Sequence, residues 1–269
     1  MESIDLAIFG ATTFEVSPLA EAFPRSDILQ IAGNQAGIHT FGNVRLLIGT
    51  TGIGKVNAAA VTASALTQFQ TAEVWNIGCA GAYVESGLRI GDVVVTRVSL
   101  CGDEGILESS AVYPTSRIGI PLLRHGGSPV YDSFPLDSFL DKAGIESSLP
   151  AGRYAIDSET GLIQPVLVPE PSADSFSVAY GPSLTVGMVS GDLRTAGERF
   201  NRHAALAENM EGSAVAQACF LFGVPFFEVR GISNMAGVRD KREWNLKLAI
   251  ERSVAAVMRA IHTRKARRG

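Results

Sequence analysis

The chain has 269 residues, of which 46% are hydrophobic, with 28 glycines and 23 Lys+Arg set against 27 Asp+Glu. This is enough for a substantial core, and a net charge of -4 supplies no broad positive field for nucleic acid. Cys79, Cys101 and Cys219 are too scattered for a metal-ligand set or a disulfide framework, and no apolar run approaches the ~20 residues of a membrane span. MESIDLAIFG has no basic segment followed by a long apolar one, so a soluble, cytoplasmic chain is expected, with neither nucleic acid nor membrane as partner.

Ile4 to Phe9 reads as a buried first strand ending at Gly10. A short helix follows, with Thr12 or Thr13 as N-cap and Glu15 in its first turn. Glu15 is either a capping carboxylate or one facing a pocket at the carboxyl end of the first strand, where open α/β sheets bind ligands. Three short strands come next, Ile28–Ala32, Gly37–Phe41 and Val44–Ile48, with a hairpin turn at Gly42-Asn43. A hairpin beside βα units predicts a mixed sheet.

Gly49-Thr50-Thr51-Gly52-Ile53-Gly54-Lys55-Val56 has the G-x-x-x-x-G-K spacing of a phosphate loop, but Val56 replaces the hydroxyl that would hold Mg²⁺. It reads as a glycine turn into a small-residue helix (Val56, Ala59, Ala60, Ala63, Leu66), with or without anion contact by its free amides. Glu73–Ile77 is a strand running into Gly78-Cys79-Ala80-Gly81-Ala82, where a flat ligand fits against bare backbone. Cys79 has no His or Lys near it in sequence and reads as a packed small residue. Val93–Thr96 is another buried strand.

Residues 99–183 hold most of the chain's prolines and few periodic segments. They read as an elaborated loop region over the sheet, with short helices at Ser138–Ala143 and Ala155–Leu162, rather than as a second domain. Leu184–Val189 reads as a strand, Thr195–Arg202 as a helix, and Glu211–Phe222 as an apolar helix headed by Asn209-Met210-Glu211. Val224–Ile232 is the last buried strand and ends in Ser233-Asn234. A terminal helix spans about Glu243–His262, with a basic tail at Arg264, Lys265, Arg267 and Arg268.

The ordered segments Thr51–Val56, Asn76–Gly81, Gly91–Val95, Val189–Asp192, Asn209–Gly212 and Val229–Asn234 resemble the purine nucleoside phosphorylase/nucleosidase superfamily. They look closest to its hydrolytic nucleosidases, and Gly237-Val238-Arg239-Asp240 with Trp244-Asn245-Leu246 points to the futalosine hydrolase branch. The resemblance implies one α/β domain over 1–269, with a mixed, partly barrel-like sheet flanked by helices. It implies N-ribosidic cleavage of a small-molecule nucleoside with no cofactor and no metal, in menaquinone biosynthesis, by a homo-oligomer (a dimer or higher).

By the same resemblance Glu211 binds ribose hydroxyls and opposes the oxocarbenium charge, while Met210 packs on the sugar. Asn209, Cys79, Ala80, Gly81 and Ser233 join the substrate-binding set. A glutamate after the first strand activates water, a part open to Glu15, with Asp192 the weaker substitute. Asn234 stands where adenine-cleaving relatives carry Asp. An amide can donate to a 6-oxo group and accept from protonated N7, so Asn234 implies hypoxanthine or guanine as leaving base. Arg194 is the candidate for stacking on the base, and Arg117 or Arg124 for meeting a 5′-side carboxylate.

Val74-Trp75-Asn76 carries no arginine for phosphate, which favours water over phosphate as nucleophile. The competing readings are a phosphorylase of the same fold, another 6-oxopurine or methylthioadenosine-type nucleosidase, an Mg²⁺-dependent nucleotide switch, and a nucleoside sensor without turnover.

Overall fold

The computed structural model describes residues 1–109, 111–157, 160, 162–166 and 175–268. Its frame is a twelve-stranded mixed sheet. In chain order come β1 (Leu6–Gly10), α1 (Thr13–Glu21), β2 (Arg25–Ile31), β3 (Asn34–Phe41), β4 (Val44–Thr50), α2 (Lys55–Gln68), β5 (Val74–Ala82) and β6 (Val93–Cys101). There follow β7 (Ser175–Thr185), α3 (Leu193–His203), β8 (Ala207–Asn209), α4 (Gly212–Phe222), β9 (Phe226–Met235) and α5 (Leu246–Arg268).

The path β7-β6-β9-β5-β1-β4-β3-β2 mixes directions: β5 is parallel to β1 and β9, β6 antiparallel to β9, and β2-β3-β4 an antiparallel meander. The short strand β8 pairs with both β7 and β5 and so closes β7-β6-β9-β5-β8 into a ring. This is the expected partly barrel-like sheet of an α/β domain. The closure also fixes the chain just before Met210-Glu211.

Alternation along the strands builds a core on each face. Leu6, Ile8, Trp75, Ile77 and Val229 pack with residues of α1 and α5, while Ala7, Phe9, Leu47 and Val74 pack with residues of α2 and α4. The small residues of α2 do pack closely, but through Ala58, Val61, Thr62, Ala65 and Leu66, and Val56 is exposed. Leu66 is on the buried face as expected, but Ala58, Val61, Thr62 and Ala65 take the places expected of Val56, Ala59, Ala60 and Ala63.

Other boundaries move. The first strand divides into Glu2–Ile4, which pairs with Phe69–Thr71, and β1. β7 lies almost wholly before the expected Leu184–Val189, leaving Val186–Val189 as irregular chain that meets the pocket at Val189. Asp137–Ala143 is helical as expected, whereas Ala155 and Ile156 belong to a strand, Gly152–Ile156, paired with β7; residues 158, 159 and 161 of the expected helix lie outside the described residues. The basic-tail side chains also lie outside them. Among the described residues no helix is long and apolar enough to cross a membrane, and no cluster of three His, Cys, Asp or Glu is arranged to hold a metal.

Candidate active site

At the carboxyl ends of β1, β5 and β9 lies a pocket of about 490 Å³. Glu15, Cys79, Ala80, Gly81, Asn209, Met210, Glu211, Ser233 and Asn234 all line it, so the residues expected from the strand ends and the Asn209-Met210-Glu211 turn are brought to one place. Asp192 does not line it. That carboxylate N-caps α3, where the Thr195 N–H donates to it at 2.8 Å and holds it below the usual carboxylate range.

Glu15 performs both roles considered for it. One carboxylate oxygen takes the Thr12 N–H at 2.9 Å and hydroxyl at 3.1 Å, as in a capping box. The other takes the Cys79 N–H at 3.1 Å and thiol at 3.4 Å, and the side chain is 6% exposed at the pocket wall. Burial, then Glu15 itself, pushes the Cys79 thiol up to about 12, which disfavours the nucleophilic thiolate and suits the thiol as a donor to Glu15.

Glu211 sits at the head of α4 because Asn209 prepares the turn. The Asn209 Oδ1 accepts the N–H groups of Glu211 (3.1 Å) and Gly212 (2.8 Å) and the Thr185 hydroxyl (3.0 Å). The Gly54 N–H donates to Glu211 Oε1 at 3.0 Å, and Arg230 Nη1 lies 3.7 Å from Oε2. Burial raises the Glu211 pKa, with Arg230 and Gly54 offsetting part of the effect.

Behind these groups is a buried network that the sequence reading passed over. Arg230 and Glu228 are fully buried, with Nε to Oε1 at 2.8 Å. Glu228 also accepts from Asn209 Nδ2 (2.9 Å) and the Ser99 hydroxyl (3.2 Å), and Arg230 Nη2 donates to Asn76 Oδ1. Arg230 Nη1 is buried with no hydrogen-bond partner among the described residues. It converges with Glu15 on Gly78, where an added Cβ would collide with Glu15 Oε1 and lie 2.9 Å from Nη1. The available signal was two opposite charges at i and i+2 in the apolar strand Phe226-Phe227-Glu228-Val229-Arg230, hence on one face and obliged to pair.

A β-bulge between Ile232 and Asn234 turns the end of β9 into the pocket. The Ser233 hydroxyl donates to Asn234 Oδ1 at 2.8 Å, and Asn234 Nδ2 donates to Met235 O at 2.9 Å. Glu208, also on the lining, is held by Ser190, Tyr83 and Arg199 and ties the Val189-Ser190 wall to β8.

Three expectations fail in this chain. Arg194 points to solvent, paired with Glu198 at 2.7 Å, and is not in the pocket. Arg117 stacks over Tyr113 and pairs with Glu108, and Arg124 reaches Gly127 O, so neither lines the pocket of the chain that carries it. Instead Phe14, Ile53, Arg239, Trp244 and Leu246 complete the wall.

The carboxylates, the buried arginine and the amide at the carboxyl ends of a closed mixed sheet define a class of small-ligand α/β protein. The family model of the phosphorylase superfamily matches residues 5–263, and the chain belongs to that superfamily. It is 34% identical to the futalosine hydrolase of Thermus thermophilus over 211 residues, covering 78% of this chain and 79% of that one. It is 27% identical to the 5′-methylthioadenosine/S-adenosylhomocysteine nucleosidase of Lysinibacillus sphaericus, over 95% and 98%. The fold matches the Colwellia psychrerythraea nucleosidase in complex with adenine at TM-score 0.74, with 23% identity and coverage of 97% and 96%. It matches the Helicobacter pylori futalosine hydrolase at 0.71, with 20% identity and coverage of 97% and 98%.

Proposed function

We propose that this chain is a nucleosidase that hydrolyses the N-ribosidic bond of a 6-oxopurine nucleoside, with futalosine as substrate and hypoxanthine as the released base. The observation that carries it is the convergence of Glu15, Glu211 and Asn234 on one pocket. Glu211 and Met210 take the ribose, and the carboxylate opposes the positive charge of an oxocarbenium-like transition state. Glu15 takes a proton from water, and the free Nη1 of Arg230 donates to that water's oxygen. The water's oxygen bonds C1′ as the N-ribosidic bond breaks and its electron pair passes to the base, whose N7 takes a proton from solvent; Asn234 holds that N7–H and the 6-oxo edge, with Ser233 fixing the amide.

Water is favoured over phosphate on charge. Glu15, Glu211 and Glu228 share one guanidinium, Arg230, which leaves no spare cation beside the ribose-binding carboxylates for a dianion; Arg239 lies on the Trp244 side of the pocket. The relatives named above include both futalosine and methylthioadenosine enzymes; Asn234 is what favours the first here.

The reading extends to one functional domain over 1–269 and to a homo-oligomer. Phe14 and Ile53 line the pocket yet are 55% and 59% exposed, apolar surface that a second copy would cover. The test is base release from futalosine, inosine and methylthioadenosine, each with and without phosphate. Hypoxanthine from futalosine, indifferent to phosphate, is the expected result. Adenine from methylthioadenosine alone would overturn the base assignment, and dependence on phosphate would overturn the hydrolase.

A further inference from the structure

The pocket's lining has one feature that cleavage itself leaves unused. Among the described residues lining it, Arg239 is the only cation. Glu208 has Arg199 at 3.1 Å and Glu211 has Arg230 at 3.7 Å, while Glu15 is held by Thr12 and Cys79, so none of the pocket's carboxylates is paired with Arg239. Asp240, beside Arg239 in sequence, is taken by Arg242. Arg239 makes no ion pair with any described residue; its guanidinium lies instead over the Trp244 ring, 5.0 Å from the centroid.

That shelf is built rather than loose. The Trp244 indole N–H donates to Val238 O at 2.9 Å, which fixes the ring. The Asn245 N–H donates to Ser233 O at 2.8 Å and ties the segment to the end of β9. Gly237, at φ +88°, makes the turn that brings Arg239 round, packed so closely on Asp192 O that a Cβ would clash. Stacking on Trp244 occupies a face of the guanidinium and leaves its N–H edge free, the edge that matches a carboxylate. Phe14, Ile53 and Leu246 supply apolar wall.

We infer that Arg239 and Trp244 form a subsite for a 5′-side substituent that is apolar along its length and ends in a carboxylate, such as the aryl carboxylate of futalosine. This rests on the nucleosidase reading above. A short phosphate ester would use the cation but waste the apolar wall. Arg239 is a specificity-determining residue and takes no part in bond cleavage.

The test compares wild type, Arg239→Gln and Arg239→Lys in steady-state base release from futalosine and from inosine, which lacks the substituent. Loss of a charge-assisted contact raises KM for futalosine roughly ten- to a hundredfold, with kcat and both inosine constants little changed and partial rescue by Lys. An unmoved futalosine KM, or equal changes for both substrates, overturns the subsite. Calorimetric titration with futalosine, run with each Arg239 variant and with Arg239 intact in a Glu15→Gln background that slows turnover, reads binding itself. Weaker binding by Arg239→Gln supports the subsite, and equal binding, or none with Arg239 intact, overturns it. Tighter wild-type binding of inosine 5′-monophosphate than of futalosine would assign the cation to phosphate and overturn the carboxylate. Futalosine bound through Arg239 but never cleaved would sink the nucleosidase reading and leave the subsite standing.

Discussion

The Gly54 N–H and Glu211 Oε1 lie 3.0 Å apart across 157 residues of sequence. The loop that has the spacing of a phosphate loop thus gives an amide at the head of α2 to the protein's own carboxylate. Lys55, the residue that would meet phosphate, holds Asp103 at 2.6 Å and Glu104 at 3.0 Å. Gly54 has φ +93°, a conformation that side chains resist. Gly54→Ala is therefore expected to displace the amide at a strain of about 1–3 kcal/mol, lowering both kcat/KM and Tm. Val56→Thr, which restores the missing hydroxyl, is expected to create no Mg²⁺-dependent nucleotide binding. Thermal melts and nucleotide titration check the two.

Glu15 caps α1 and in the proposed mechanism also takes a proton from water, and glutamine separates the two. Gln at the third position of a capping box still reaches back to the Thr12 N–H. Glu15→Gln is expected to keep Tm within a few degrees while kcat falls about 10²–10⁴-fold, the usual worth of a general base. Unchanged kcat would remove Glu15 from the chemistry.

Much of this site was legible in the sequence because it lies where strands end. Cys79-Ala80-Gly81 after a buried strand, Asn209-Met210-Glu211 before an apolar helix and Ser233-Asn234 after the last strand are local patterns, and all three reach the pocket. Arg230 escaped because its place depends on Glu228, Asn76 and Glu211, contacts set by sheet order rather than by spacing. Arg194 was misassigned for a related reason. Its position after Ser190-Gly191-Asp192 is near the pocket in sequence, but the helical turn begun by the Asp192 cap carries it outward. The β8 closure was equally hidden, since a three-residue strand has no periodicity to read.

The Glu228–Arg230 pair is a stability element under the site. Glu228→Ala leaves Arg230 fully buried with Glu211 more distant, and also strips a partner from Asn209. Removing one partner of such a pair costs about 3–5 kcal/mol, so a large loss in denaturant midpoint is expected. Glu228→Gln keeps the shape and an acceptor for Asn209, and is expected to lose less stability than the alanine variant. Similar midpoints for wild type and Glu228→Ala would contradict the network.

The raised pKa of Glu211 has two consequences with opposite use. In the proposed mechanism the ionised form serves the ribose and the developing charge, so the acid limb of kcat/KM is expected above the ordinary value of 4.5 and to disappear in what activity remains to Glu211→Gln. Stability runs the other way. A carboxyl whose folded pKa is raised contributes stability that is full below the unfolded value and lost as pH rises through the folded one. Glu211→Gln is therefore expected to gain in Tm over wild type at neutral pH, with the gap closing below about pH 4.5 as wild type protonates. Melts across that window decide it.

In the proposed function Asn234 carries the choice of base, and its own partners say how. The Ser233 hydroxyl donates to Oδ1 and Nδ2 faces Met235 O, so the amide is oriented before any ligand arrives. With a 6-oxopurine, Nδ2 donates to O6 and Oδ1 accepts from protonated N7. With a 6-aminopurine, Nδ2 meets another donor and one of the two is left buried and unpaired, which costs about 1–3 kcal/mol. Asn234→Asp removes the donor and supplies a carboxyl that protonates N7 and accepts from the 6-amino group. The selectivity ratio, kcat/KM for futalosine over that for methylthioadenosine, is expected to fall by roughly 10²-fold or more, through loss on the first and gain on the second. Ser233→Ala frees Oδ1 from its fixed donor, and is expected to lower kcat/KM for futalosine with a smaller change in the ratio. If Asn234→Asp lowers both substrates alike, the base is chosen elsewhere in the pocket, and the argument for a 6-oxopurine loses its footing.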